Sequence, residues 1–306
     1  MNPHENQVKG CSSRYWIGHC LAHHFPQPGK ISASVSIGVH RRLRFSSTAW
    51  IRLSLLLCWP LLASITAKAQ SVALQFQSAP ARTALLELYT SEGCSSCPSA
   101  EIWLSGLQDS PRLWRDFAPV AFHVDYWNYL GWRDAWSDAA FSDRQRAFAQ
   151  LWHSENVYTP EFAINGQEWH PWFSGKNGPQ SDGGKVGVLT VTSTDTNRWQ
   201  ANFAPEKPVA GRYEIHAVLL AGGIVSDVQA GENQGRRLHH DFVVVKLVAI
   251  GLAAHDGVAE GKFILAAPRH TMGKTLALVV WVTPPGELVP LQATGGWLVP
   301  PAKKQL

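Results

Sequence analysis

Two residues separate Cys94 from Cys97, and the pair stands where an apolar run, "TALLELYT" (83–90), gives way to a helix-like pattern opening at Pro98. That junction limits the fold more than any other stretch. A strand that hands a dithiol to the start of a helix sets the direction of both elements and keeps two sulfurs within reach of each other. Proline suits a first helical turn, where its missing N–H has no partner to lose. Ala100, Trp103, Leu104 and Leu107 then recur at helical spacing.

The chain has five cysteines in 306 residues, and the other three, Cys11, Cys20 and Cys58, fall within residues 1–69. That stretch reads as an export leader. "RRLR" (41–44) is a positive n-region, "IRLSLLLCWPLLASITA" is an apolar segment interrupted by Arg52, and "AKA" (67–69) is an A-x-A cleavage site. From Leu53 to Ala67 the apolar stretch is short for a membrane span. Cleavage near Ala69 and a periplasmic or secreted product are therefore expected, the membrane being met only in transit. The alternative is an uncleaved anchor. After cleavage only Cys94 and Cys97 remain, so the dithiol stands alone in a compartment where disulfides persist.

The formal charge of +4 belongs to this leader, which holds Lys9, Arg14, Lys30, Arg41, Arg42, Arg44, Arg52 and Lys68 against the single acid Glu5. The remainder has 19 basic and 22 acidic residues, a net of −3, which removes the case for a nucleic-acid partner.

Past a polar lead-in (70–82), the order read from the pattern is strand, CxxC, helix, strand, helix, proline, strand. "PVAFHVDYW" (119–127) alternates as a strand, and "SDRQRAFAQLWHS" (142–154) reads as a helix opened by a Ser142/Gln145 capping box. "VYTPEFAING" (157–166) turns at Pro160 and ends in Asn165-Gly166, a hairpin signal. Residues 171–184 read as a linker or loop. Beyond them "KVGVLTVTST", "RYEIHAVLLAGG", "DFVVVKLVAIG" and "TLALVVWVT" are strands at sandwich-like spacing. The expected fold is an α/β thioredoxin-like domain over 83–170, a mixed sheet flanked by helices. A separate all-β sandwich-like unit is expected over 185–306.

Cys94 is expected at the helix N-terminus, where backbone N–H groups and the positive dipole end favour the thiolate. Cys97 can then resolve a mixed disulfide from within the same motif. Glu87, seven residues earlier, is a candidate acid for the resolving cysteine's proton; otherwise it is an ordinary strand carboxylate with a hydrogen-bond partner. Asp125 is a weaker candidate of the same kind, or the residue that fixes the following loop. That loop carries Trp127 and Trp132 among several aromatics, which form a peptide-binding platform or a small core. "GENQGRRLHH" (231–240) reads as an anion-binding turn or a polar hairpin. No metal or other cofactor is expected. A Zn or Cu(I) site on the cysteines needs further ligands, for which His123, His153 and His239-His240 are the sources.

"ELYTSEGCSSCPSAE", "FHVDYWNYLGW", "VYTPEFAING", "GENQGRRL" and "LQATGGWL" together resemble a family of exported bacterial thioredoxin-like proteins classed as a domain of unknown function. The resemblance implies a thioredoxin-like fold, with Pro160 as a cis-proline facing the dithiol and Thr159 offering backbone hydrogen bonds to a bound peptide. Unlike ordinary thioredoxins, the chain has Ser95-Ser96 between its cysteines and no Trp before the first. The expected function is a thiol-disulfide oxidoreductase acting on protein or peptide thiols and disulfides, with an electron partner. The rivals are a binding module with a permanent disulfide and a Cu/Zn-handling dithiol protein.

Overall fold

Apolar runs without alternation form the middle of the sheet, and alternating runs form its margins. The structure, a computed structural model, describes residues 74–173, 178–193, 195, 197–207, 212–267 and 273–302. The leader with Ala69, and residues 174–177 of the expected loop, lie outside the described residues. Among the described residues no helix is long and apolar enough to cross a membrane.

The first half of the described chain runs β1 (Gln75–Gln77), β2 (Ala84–Thr90), α1 (Cys97–Ser105), β3 (Phe117–His123), α2 (Ala139–Leu151), β4 (Glu161–Ile164) and β5 (Gln167–Glu168). Strands follow almost without interruption: β6 (Gly187–Ser193), β7 (Arg198–Pro205), β8 (Tyr213–Gly222), β9 (Ile224–Asp227), β10 (Arg237–His240), β11 (Val243–His255), β12 (Val258–Ile264), β13 (Thr275–Thr283) and β14 (Gln292–Val299).

Twelve of these strands share one sheet with the path β1-β6-β7-β12-β11-β3-β2-β4-β5. β8 pairs with β11 and β13, and β13 also with β14; β9 and β10 form a separate ribbon. β2 and β3 are parallel while β4 is antiparallel to β2, so the sheet is mixed. β11 joins the early and late strands. Its first residue, Val243, pairs in parallel with Ala121 of β3, its body runs antiparallel to β8, and its end meets β12.

The helix-flanked thioredoxin-like domain followed by a separate all-β unit is therefore not the fold. The described residues hold only two α-helices, and the late strands extend the sheet that carries the CxxC segment. The reason lies in β8 and β13, which are apolar on both faces. Val218, Leu220, Ala277, Val279 and Trp281 pack into a core with β2, β3 and the helices. Their neighbours Ala217, Leu219, Leu278, Val280 and Val282 pack into a second core with β6, β7 and β12. Strands buried on both sides read as continuous apolar runs. Such strands have no face to offer water, so they become the layer that both cores share.

Two local expectations also change. α2 opens three residues earlier than the expected helix, with Asp138 as N-cap accepting from the Ala140 N–H at 2.9 Å. Ser142 is inside the helix and turns its hydroxyl to Asp125, so the Ser142/Gln145 capping box does not form. β1 lies within the stretch expected as a polar lead-in and edges the sheet against β6. The Asn165-Gly166 turn is as expected: both residues have positive φ (48° and 80°) and join β4 to β5.

Candidate functional site

β2 ends at Thr90, and the segment Ser91–Ser96 carries the chain to α1. Cys94 and Cys97 are joined as a disulfide, 1% and 0% exposed respectively. Cys97, not Cys94, is the first residue of α1; Ser96 is its N-cap and Pro98 follows in the first turn. Cys94 stands three residues ahead of the helix because the turn between them closes on its carbonyl, which accepts from the Cys97 N–H at 3.3 Å.

The surroundings of Cys94 are polar although it is buried. Its Sγ lies 3.4 Å from Ser96 Oγ and 3.6 Å from the Thr159 carbonyl oxygen. The Thr159–Pro160 peptide is cis. Trp127 Nε1 donates to Thr159 Oγ1 at 2.8 Å, so the aromatic loop holds the segment that faces the sulfur. Trp127 also sits tightly on the motif: a Cβ added at Gly93 would lie 2.9 Å from Trp127 Cβ. Thr159, Pro160, Trp127 and both cysteines are thus brought together.

Glu87, Asp125 and Trp132 have other partners. Glu87 is fully buried in β2 and receives Arg144 Nε at 2.7 Å, Arg144 Nη2 at 2.9 Å and the Tyr89 hydroxyl at 3.0 Å. Burial works against the Arg144 charge, but Glu87 and Tyr89 hold its pKa above the ordinary guanidinium value. Asp125 accepts from the Ser142 hydroxyl at 2.5 Å, which ties the aromatic loop to α2. Trp132 Nε1 donates to Glu92 Oε2 at 2.6 Å.

Glu92 belongs to a cluster of which sequence reasoning named only the histidines, His123 and His240, as possible ligands for a metal on the cysteines, and missed the acids and Asn233. Asn233, fully buried in the loop between β9 and β10, donates to the carbonyls of both Glu92 and Cys94 at 2.8 Å. Glu232 beside it accepts from the Ser95 N–H at 2.9 Å. The "GENQGRRLHH" hairpin therefore clasps the CxxC segment, and its strand β10 delivers His240 beneath it. His240 Nδ1 bonds Glu101 of α1, and its Nε2 lies 3.3 Å from Glu92 Oε1. His123, the last residue of β3, bonds Asp134 Oδ2 through Nδ1 at 2.8 Å. Burial disfavours the charged imidazolium in both histidines, yet the carboxylates outweigh it: Glu101 and Glu92 lift His240 to about 10, and Asp134 raises His123. Against its own burial, Glu101 is held below the usual carboxylate range by His240. The available signal was the placement of Glu92 and Glu101 on either side of the cysteines, at positions flanking an apolar strand and an inward helix face.

Residues 85–283 match a family described as "Protein of unknown function (DUF1223)". The chain belongs to that family. Among solved structures it is similar to a protein from Agrobacterium tumefaciens determined by X-ray crystallography, at 20% identity and a TM-score of 0.50, over 74% of this chain and 98% of that one. This likeness concerns the fold alone. It is also similar to HBP35 of Porphyromonas gingivalis, at 15% identity and a TM-score of 0.48, over 75% of this chain and 80% of that one. No curated protein matches the sequence.

Proposed function

We propose that the chain is an exported thiol-disulfide oxidoreductase acting on protein or peptide thiols and disulfides through Cys94 and Cys97. One observation carries this reading: the Thr159 carbonyl beside Pro160 stands 3.6 Å from Cys94 Sγ, with the Ser96 hydroxyl 3.4 Å from the same sulfur. A hydroxyl donor stabilises a thiolate, and a carbonyl acceptor receives the thiol hydrogen of the protonated form. Cys94 is thus served in both protonation states, while Cys97 opens the helix with the positive end of its dipole at hand.

In the oxidised protein a substrate thiolate attacks Cys94 Sγ, the Cys94–Cys97 bond breaks, and Cys97 leaves with the electron pair and takes a proton. A second substrate thiolate then attacks the substrate sulfur of the mixed disulfide and releases Cys94. The substrate gains a disulfide and the protein becomes a dithiol; an electron partner of the same thiol chemistry closes the cycle. Run backward, the same steps reduce a substrate disulfide. Thr159 presents backbone to the substrate, and Trp127 holds it in place.

Cys97→Ser is expected to accumulate mixed disulfides with exported proteins, and Cys94→Ser to abolish turnover of a model dithiol. A folded, exported Cys97→Ser protein that traps nothing in non-reducing gels would overturn the proposal. The near-complete burial of both cysteines favours a second reading, a binding module stapled by a permanent disulfide. Redox titration separates the two, since structural disulfides lie below about −300 mV and catalytic ones above.

A further inference from the structure

The buried cluster beneath the dithiol has the composition and arrangement of a metal site. Glu101, His123 and His240 each bring one ligand-type atom within 4.8 Å of the other two, and all three residues are buried. They come from three elements, α1, β3 and β10, so the tertiary fold and not a local turn assembles them.

Hydrogen bonding alone explains most of this cluster but not all of it. His240 is held by Glu101 and approached by Glu92; His123 is held at Nδ1 by Asp134. His123 Nε2 is left over. It is fully buried and has no hydrogen-bond partner among the described residues, although the His123 ring meets the His240 ring edge-on with centroids 5.3 Å apart. Buried polar atoms are rarely left without a partner, and such an atom asks for an explanation.

The remaining atoms of the three residues face the kind of partners that metal ligands have, although His240 Nε2 and Glu92 Oε1 are close without a formed hydrogen bond. Asp134 fixes the His123 ring through Nδ1, Glu92 stands 3.3 Å from His240 Nε2, and Thr90 Oγ1 donates to Glu101 Oε1 at 2.6 Å. Carboxylates on the far nitrogens of two histidines and a hydroxyl on the far oxygen of a glutamate are the outer supports that orient ligands toward an ion. The atoms turned inward are then His123 Nε2, His240 Nδ1 and Glu101 Oε2. Two imidazoles and one carboxylate suit a divalent first-row cation, Zn2+ in particular, and suit neither Ca2+ nor Mg2+, which take oxygen ligands. A divalent cation here takes the place of the two imidazolium charges that face Glu92, Glu101 and Asp134, three carboxylates collected in one buried volume.

We infer that Glu101, His123 and His240 form a binding site for a divalent transition-metal cation of the Zn2+ class, separate from the cysteines. The cation bonds to two imidazole nitrogens and one carboxylate oxygen, and two protons depart to solvent, the one between His240 and Glu101 and the one on His123 Nε2. This site goes beyond the redox proposal and does not depend on it.

The test uses ZnCl2 and CoCl2 with the full-length protein carrying Cys11→Ser, Cys20→Ser and Cys58→Ser, first in its Cys94–Cys97 disulfide form and then with Cys94→Ser/Cys97→Ser added, so that no thiol can contribute. Metal analysis after gel filtration is expected to find one equivalent per chain in both. X-ray absorption of the zinc form should show a nitrogen/oxygen shell without sulfur. The Co2+ form should give visible bands of four- or five-coordinate cobalt. His123→Gln should remove stoichiometric binding, and Asp134→Asn should weaken it about 10- to 100-fold. Less than 0.1 equivalent in the disulfide form, or a sulfur-containing shell there, would overturn the inference whatever the cluster variants show. Unchanged binding in a folded His123→Gln protein would do the same. Trapping by Cys97→Ser is read separately, so either proposal can fail alone.

Discussion

Replacing Arg144 by methionine isolates the buried ion pair at the centre of the larger core. In the native protein the guanidinium gives Glu87 two bonds, at 2.7 and 2.9 Å, and Glu87 has no contact with water. The guanidinium carbon also lies 5.0 Å from the Phe148 ring centroid and 5.3 Å from that of Trp281. Methionine keeps much of the apolar stem but leaves a buried carboxylate with the Tyr89 hydroxyl as its remaining donor. Removing one partner of a buried pair costs about 3–5 kcal/mol. For a domain of this size, at roughly 2–4 °C per kcal/mol, thermal unfolding should fall by about 6–20 °C. The double variant Glu87→Met/Arg144→Met removes both charges and should lie within about 1–2 kcal/mol of wild type, because an apolar pair can replace a buried ion pair at little cost. Chemical denaturation of all four proteins gives the coupling energy. If Arg144→Met costs under about 1 kcal/mol at pH 8, or the double variant is worse than either single, Glu87 is not the structural carboxylate described above.

Glu161 is 2% exposed beside Pro160, and burial pushes its pKa up to about 7, despite its bond from Gln145. A carboxyl that binds its proton more tightly in the folded state stabilises at low pH, and that contribution disappears as pH rises from about 4.5 through 7. Glu161→Gln should therefore flatten the pH–stability curve and gain about 2–3 kcal/mol at pH 8; an unaltered curve refutes the assignment. His216 stacks on Trp281, and burial, then Arg144, depress its pKa to about 4. Its contribution is complete above about 6.5 and is lost as pH falls toward 4, so His216→Phe should resist acid unfolding better than wild type, as followed by tryptophan fluorescence. Asn233→Ala removes two donors from the CxxC segment; stability should drop by about 1–3 kcal/mol, and dithiothreitol should reduce the disulfide faster. An unchanged reduction rate would show that the hairpin does not restrain the cysteines.

What could be read from the sequence was whatever depends on neighbours along the chain. Proline after Cys97 and the spacing of Ala100 and Leu104 specify α1, and Asn165-Gly166 specifies its turn, because each is decided within a few residues; β3 is a strand as read, but it is buried at every position and the alternation read there does not exist. The pairing of Cys94 with Cys97 is of the same kind. Whatever depends on long-range burial was decided elsewhere. Whether β8 and β13 close a separate sandwich or extend the first sheet cannot be told from apolar runs, since both arrangements bury them equally well. Only the meeting of Val243 with Ala121 settles it. Glu101, His123 and His240 are separated by 22 and 117 residues, and although both histidines stand out as candidate ligands for the cysteines, nothing in line joins them to Glu101. They become a cluster because a helix, a strand and a hairpin each bury one polar side chain in the same volume, and a buried polar group must find its partner wherever the fold brings one.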